Sequence, residues 1–453
     1  MASSGDTIAA PATPAGTSAL ALVRASGPLA GRLWEAIFAA TPLPRQAHHG
    51  DYRDQTGALI DDVVAVYFQA PNSYTGEDIV EVSCHGNPFI IHKILNDLYA
   101  RGCRPAEPGE FTKRAFLNGR LGLSEAEAVA DLIRARSDRA LAAANQQLRG
   151  ALGRRLQVLS DQLLDLVARV EAQLDFPEED LPPEDRALLL DGVQRLHADT
   201  ARLLASGHYA EILRDGLKTV ILGPPNAGKS TLLNRLVGTE RALVSPEPGT
   251  TRDYLEERIT LGPHCIRLID TAGLNPRPAP LERLGMAKAL EHAAAADLIL
   301  LLLDATRPAP ALAEVESLPG LTAANALLVV NKVDLASAGP FPASPPGVPT
   351  LRISALTGAG CDELVAAIAR HAESFRSEQD EELIAINSRH AEALGRAAGF
   401  LESAADKVRA GAPADEFLAS DLRGALDGLG EILGRIDIEK VLDRIFATFC
   451  IGK

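Results

Sequence analysis

The residues with the clearest chemistry are Gly223-Pro224-Pro225-Asn226-Ala227-Gly228-Lys229-Ser230-Thr231, directly after the apolar run Thr219-Val220-Ile221-Leu222. Glycines at both ends let the backbone turn tightly enough to aim successive N–H groups at a phosphate. Lys229 then reaches the β and γ oxygens, and Ser230 offers a hydroxyl to Mg²⁺. A helix predicted over 231–237 adds its positive end. The alternative is a Gly-rich turn that binds nothing, and three later stretches weigh against it. Asp270-Thr271-Ala272-Gly273 closes a strand predicted over 265–269, where Asp270 can hold Mg²⁺ through water and the Gly273 N–H can sense a γ-phosphate. Asn331-Lys332-Val333-Asp334 closes a strand over 326–330; a carboxylate there accepts from the guanine N–H and amino groups, which adenine does not offer. Ser354-Ala355-Leu356 closes a strand over 351–353 and would back the base. Ligands on open α/β sheets gather at such strand ends, and the four stretches in this order specify guanine nucleotide binding.

Two details say what kind of nucleotide hydrolase this would be. Leu274 stands where Ras-type proteins carry a water-orienting Gln, so another group must position the water. The nucleotide-facing loop Ser245-Pro246-Glu247-Pro248-Gly249-Thr250-Thr251 supplies Thr251 as a second Mg²⁺ ligand. Its carbonyls could meet Asn226 around a monovalent cation that stabilises charge between the phosphates; the alternative for Asn226 is a simple turn residue. Glu282 is the nearest downstream carboxylate for the water, against the reading of a solvated helix charge, and Arg277 and Arg283 are candidate fingers under the same alternative. Cys450, in the final Cys450-Ile451-Gly452-Lys453, is either a reactive thiol or part of a frayed tail. Cys84-His85 suggests a metal ligand pair or a catalytic dyad, but no ligand cluster adjoins it.

These residues need a scaffold. With 453 residues, several domains are expected, and 46% hydrophobic content fills their cores. A net charge of −15 excludes a generic nucleic-acid binder, so RNA contact needs a local basic patch or a basic partner. Five cysteines without C-x-x-C spacing argue against a zinc site or a disulfide framework and suggest a reducing compartment. Neither a signal peptide nor a transit peptide fits the N-terminus, and the longest apolar run, 298–303, is too short for a bilayer, so a cytoplasmic protein without membrane contact is expected.

Residues 1–118 read as a mixed α/β unit, with strands at 19–24, 62–67 and 78–83, a helix over 89–99, and a polar loop over 71–78 suited to ligand contacts. From Leu121 the pattern turns helical. Ser124 with Glu127 fits a capping box, and apolar residues at 148, 152, 156, 159, 163, 166 and 170 form one stripe. A membrane-surface helix is the lesser reading of that stripe, because its other face mixes acids and bases. A further helical segment is predicted from 184 to about 214. Strands and helices alternate over 217–375, as in a doubly wound parallel sheet. Leu422, Leu426, Leu429 and Leu433 make a second stripe, continued at Ile438, Val441, Leu442, Ile445 and Phe446. Neither helical stretch has a core of its own, so the simplest account is one helical domain, 119–215 with 377–453, into which the 216–376 domain is inserted.

Taken with Asp6-Thr-Ile-Ala-Ala, Tyr74-Thr-Gly-Glu-Asp78, Cys84-His-Gly86, Glu107-Pro-Gly-Glu-Phe-Thr-Lys-Arg-Ala-Phe-Leu-Asn118, Ser124-Glu-Ala-Glu-Ala-Val-Ala-Asp-Leu-Ile133, Asp175-Phe-Pro-Glu-Glu-Asp180, Asn387-Ser-Arg-His390 and Phe449-Cys-Ile-Gly-Lys453, nearly the whole chain resembles the MnmE (TrmE) tRNA-modification GTPases. The resemblance implies an N-terminal tetrahydrofolate-binding and dimerisation domain, a discontinuous helical domain and an inserted Ras-like G domain. It implies potassium-dependent GTP hydrolysis in a homodimer, activated when two G domains meet. Glu282 falls at the family's water-orienting position, Asn226, Ser245, Glu247 and Thr250 at its potassium site, and Arg24, Glu81, Arg120 and Lys453 at its folate site. With the flavoprotein MnmG (GidA), which carries FAD and NADH, the family adds an aminomethyl or carboxymethylaminomethyl group to C5 of the wobble uridine at tRNA position 34. A 5-formyl-tetrahydrofolate-type compound is the one-carbon source. Cys450 matches the family's C-terminal Cys, with an open role. The chain departs from the pattern at Asn87, where a Gly is usual, at Arg120, where Lys is usual, and at Pro246 and Pro248, which remove two N–H donors and imply a stiffer loop with altered potassium affinity. Two rival readings are an RNA-binding switch of ribosome assembly, against which the C-terminal region lacks a KH-type G-x-x-G clamp, and a one-carbon transferase with the G domain as a mere regulator.

Overall fold

The computed structural model describes residues 5–175, 183–239, 256–270, 291–307, 321–335, 346–376, 384–410, 416–434 and Gly452. Contacts divide the chain into two compact units. One combines Met1–Ala130, Gln147–Ala198 and Ala393–Lys453, and the other Asp131–Gln146 and Asp199–Glu392.

The first unit opens with a six-stranded sheet of β1 (Thr7–Pro11), β2 (Leu20–Ser26), β3 (Ala47–Arg53), β4 (Leu59–Phe68), β5 (Ile79–His85) and β6 (Cys103–Pro105), in the order β3-β4-β5-β2-β1-β6. Its pairs are antiparallel except β1 with β6. Val23, Val63, Ala65, Val80 and Val82 alternate along the strands and pack against Leu33, Trp34 and Ile37 of the Ala30–Phe38 helix and Ile94 and Leu98 of the Pro88–Ala100 helix. The alternation commits one sheet face to the helices and leaves the intervening residues on the other. The expected strands within β2, β4 and β5 and the helix over 89–99 are present. β1, β3 and β6 have no counterpart among the expected strands, because each is short or, in β3, mostly polar.

The stripe of the Ala151–Asp175 helix is buried at Leu152, Leu156, Leu159, Leu163, Leu166 and Val170, and the helix packs on Glu416–Leu433, in which Leu418, Leu422, Ala425, Leu429 and Ile432 are buried. Leu426 and Leu433 are only half-buried, so the second stripe is centred one position away from the expected one. Arg423 and Glu171 join the two helices at 2.7 Å. The helix at Leu123–Arg134 starts one residue earlier than the expected cap. Ser124 is inside its first turn and buried, and the acid that reaches back is Glu125, whose Oε2 accepts the Gly122 N–H at 2.8 Å. The predicted segment from 184 is two helices, Pro183–Ala205 and Gly207–Asp215. The continuation of the second stripe over 438–446 lies outside the described residues.

The second unit holds β7 (Leu217–Leu222), β8 (Glu256–Leu261), β9 (His264–Asp270), β10 (Leu298–Asp304), β11 (Ala326–Asn331) and β12 (Thr350–Arg352) in the order β12-β11-β10-β7-β9-β8. All neighbours are parallel except β8 and β9. Leu298, Leu300 and Leu302 face one core, shared with Leu232, Leu236, Leu364 and Ile368, while Ile299, Leu301 and Leu303 face another. A sheet covered on both faces needs continuous apolar strands, which explains why 298–303 carries no polar residue.

Candidate guanine-nucleotide site

The loop after β7 turns through Asn226 at φ +65° and Gly228 at φ +99° into the Lys229–Thr239 helix. A Cβ on Gly228 would sit 2.4 Å from Asn331 Nδ2, so only glycine fits there, on conformation and on space. Lys229 Nζ donates to the carbonyls of Gly223 and Pro224, both at 3.1 Å, which curls its stem back over the loop. Ser230 and Thr231 are exposed at the helix N-terminus, where orphan N–H groups and the dipole favour an anion.

The loop after β11 is tied to this turn. Asn331 is buried; its Nδ2 donates to the Ala227 carbonyl at 2.8 Å, and its Oδ1 accepts the Ala355 N–H at 2.9 Å. Asn331, a residue expected at the nucleotide, is thus also a cross-brace joining three loops. Lys332, at φ +65°, donates from Nζ to the Asn226 carbonyl and to Asp304 Oδ2, both at 2.7 Å. Asp334 is exposed two residues further on, open to a base. Ser354 closes its own turn, accepting from Thr357 N at 3.1 Å on Oγ, and Leu356 is 71% exposed. The carbonyls of Ala355 and Leu356 both accept from Arg235, on the helix that follows the phosphate loop.

Asp304 and Arg235 are not marked by any motif in the sequence. Asp304 ends β10 in register with Asn331, and that strand register is the signal that could have found it. Burial works against its charge, but hydrogen bonds from Lys332 and Thr306 outweigh it and hold the carboxyl below the usual carboxylate range. Of the remaining nucleotide, magnesium and potassium candidates, Asp270 is the last residue of β9, so its backbone is placed at the strand end as expected. Ser245, Pro246, Glu247, Pro248, Gly249, Thr250, Thr251, Thr271, Ala272, Gly273, Leu274, Arg277, Glu282 and Arg283 lie outside the described residues.

In the first unit, Arg24 and Glu81 are cross-strand partners, paired at 2.7 Å on the sheet face opposite the helices. The Arg24 guanidinium lies 5.3 Å from the Tyr74 ring centroid and 5.4 Å from that of Phe111. Tyr74 shares a 2.8 Å hydrogen bond with Thr112, and Glu77 in the same loop is held by the buried Arg114 at 3.1 Å. The Arg120 Cγ would be 3.1 Å from a Cβ on Gly76, so this loop connects Arg120 to the surroundings of Arg24. Lys453 and Cys450 lie outside the described residues, but Gly452 is buried at φ +99° against Pro11, the strand residue paired with Val23 beside Arg24. Asn87 has a local reason of its own: it caps the Pro88–Ala100 helix by accepting the Phe89 N–H at 2.9 Å. Cys84 and His85 form no dyad. The Cys84 thiol is buried in the core, pushed up to about 11 by burial and by Asp61, whereas His85 is exposed and bonded to Asp61 at 2.9 Å. Among the described residues no cluster of His, Cys, Asp or Glu could hold a metal ion, and no helix is long and apolar enough to cross a membrane.

A phosphate loop braced by a base-recognition loop, on a sheet covered on both faces, defines a guanine-nucleotide-binding α/β domain. The rest of the chain narrows this further. Residues 7–120 match the family model of the GTP-binding protein TrmE N-terminus, and residues 123–450 that of the MnmE helical domain. The tRNA modification GTPase MnmE of Opitutus terrae is 56% identical over 99% of both chains, and that of Akkermansia muciniphila is 43% identical over 99% of both. The solved G domain of the T. maritima FeoB iron transporter is 26% identical, covering 34% of this chain and 97% of that one with a TM-score of 0.26. The chain belongs to the MnmE family of tRNA modification GTPases.

Proposed function

We propose that the chain hydrolyses GTP and couples the hydrolysis to modification of the tRNA wobble uridine. The observation that carries the nucleotide half is the Asn331 brace, which connects the phosphate loop to both base-side loops. The tRNA half rests on full-length likeness to relatives named for that activity.

In this reading Lys229 and the 223–231 loop hold the phosphates, and Asp334, Ala355 and Leu356 frame the guanine. Ser230 and Thr251 are hard oxygen donors suited to Mg²⁺. Asn226, Ser245, Glu247 and Thr250 would hold K⁺, which would supply positive charge to stabilise the phosphates, and Glu282 orients the attacking water. Arg24, Glu81, Arg120 and Lys453 hold a 5-formyl-tetrahydrofolate-type donor. The fit is chemical: the Arg24–Glu81 pair offers a donor and an acceptor side by side on the sheet face away from the Ala30–Phe38 and Pro88–Ala100 helices, with the Tyr74 and Phe111 rings adjoining. The chain acts as a homodimer with the flavoprotein MnmG, which brings FAD and NADH, on C5 of uridine 34, in the cytoplasm.

Wobble-uridine modification in cells lacking this protein, restored by a wild-type copy or a Lys229→Ala copy, tests the coupling. Restoration by the wild type alone is expected. Full restoration by Lys229→Ala would make the G domain a dispensable regulator, and no restoration by either would remove the tRNA reading.

A further inference from the structure

Both base-side residues that touch the phosphate loop grip it by backbone carbonyls. Asn331 takes the carbonyl of Ala227 and Lys332 that of Asn226, the residue before. Asn226 and Lys332 are non-glycine residues at φ +65°, a conformation that needs support from its surroundings. A lysine is a flexible support. Its four-carbon stem and three rotatable donors do not choose one carbonyl unless something fixes the ammonium.

Asp304 supplies that fixing point. Its side chain is 4% exposed, and it is itself held on both oxygens: Oδ1 accepts Thr306 N at 2.9 Å and Thr306 Oγ1 at 2.7 Å, while Oδ2 accepts Lys332 Nζ. The Arg307 guanidinium approaches Oδ2 at 3.8 Å. The Ala305 N–H donates to the Asn331 carbonyl at 2.8 Å, so the turn carrying Thr306 is pinned to the same base-side loop. We infer that Asp304 is a positioning residue, acting through Lys332 on the Asn226 carbonyl to hold the phosphate loop in its cation-accepting and nucleotide-retaining shape. This rests on the proposed role of Asn226 as a potassium ligand for its cation half, and on the nucleotide site alone for the other half.

The test uses the full chain and two readouts, GDP release and the potassium concentration giving half-maximal GTP hydrolysis at constant ionic strength. Asp304→Asn keeps the size of the side chain and an acceptor for Thr306, but sets an amide where Lys332 needs an acceptor. Loss of a charge-assisted hydrogen bond predicts about tenfold faster GDP release and a several-fold higher half-maximal potassium, on the order of fivefold. Thr306→Val removes one of the two bonds on Oδ1, keeps the Thr306 N–H there and leaves the Lys332 contact in place, so it is expected to shift both readouts clearly less than Asp304→Asn. Equal shifts in the two variants, or GDP release and potassium response unchanged in Asp304→Asn, would overturn the inference. A wild-type chain indifferent to potassium would instead refute the proposed potassium site, and GDP release then decides on Asp304 alone. If Asp304→Asn does not fold, Asp304→Glu keeps the charge but displaces it; faster GDP release supports the positioning role and an unchanged rate rejects it.

Discussion

Replacing Asn331 by Ala should damage two properties at once. Asn331 is 2% exposed, and its side chain serves the Ala227 carbonyl and the Ala355 N–H, on residues that are 0% and 3% exposed. Neither backbone group has ready access to water once the amide is gone. Each stranded group costs about 1–3 kcal/mol, so the pair amounts to roughly 4 kcal/mol. The Ala227 carbonyl belongs to the phosphate loop and the Ala355 N–H to the base-side loop, so part of this loss lowers stability and part weakens binding. An even split gives about 2 kcal/mol in affinity, roughly 30-fold in Kd. The other half lowers the thermal midpoint by about 4–8 °C for a unit of this size. Asn331→Asp retains the acceptor for Ala355 but sets an oxygen against the Ala227 carbonyl, and should be no better than Ala. Titration with fluorescent GDP and thermal unfolding of the nucleotide-free chain provide the two numbers. A Kd within twofold of wild type together with an unshifted midpoint would refute the brace.

Glu282→Ala is expected to bind GTP normally and lose most of its hydrolysis; near-normal single-turnover rates would remove Glu282 from the mechanism. Sodium should fail to replace potassium in steady-state hydrolysis, and equal rates in the two salts would discard the cation site. Leu163→Ala, at a fully buried position of the Ala151–Asp175 stripe, should cost about 2–5 kcal/mol in denaturant unfolding, with GDP affinity unchanged. Burial opposes the charge on Glu110, yet bonds from Arg104, the Glu107 N–H and Arg114 hold its carboxyl below the usual value. A lowered folded value stabilises fully above the unfolded one, and that contribution fades as pH falls through the folded value. Glu110→Gln should therefore flatten the acid limb of a stability-against-pH curve below about pH 5; an unaltered limb would mean that Glu110 contributes nothing to it.

The nucleotide sheet is legible in the sequence because the apolar residues 220–222 of β7 and 326–330 of β11 end at recognisable loops, so periodicity and motif agree on the same boundaries. Asp304 is hidden there because its partner Lys332 follows from strand register, which no local pattern records. For Asn331 the motif marks the residue, and the structure adds that its amide braces the Ala227 carbonyl and the Ala355 N–H. Spacing identifies the residue, and only packing shows that its amide is already engaged by backbone. In the first unit, β3 reads Ala-His-His-Gly-Asp-Tyr-Arg with little but Tyr52 buried, so neither alternation nor apolarity announces it. The cap at Gly122 with Glu125 competes with Ser124 and Glu127 because both spacings satisfy the same rule, and burial of Ser124 decides between them.

The pairing of Ala151–Asp175 with Glu416–Leu433 sets an order on biogenesis. A chain emerging from the ribosome presents the first helix early, but its apolar partner is synthesised only after every strand of the second sheet. Domains tend to fold as units as they emerge, so the nucleotide domain should be assembled while the stripe from Leu152 to Val170 still lacks this partner. The vulnerable interval for aggregation is thus during elongation, and slowing translation beyond residue 216 should lengthen it.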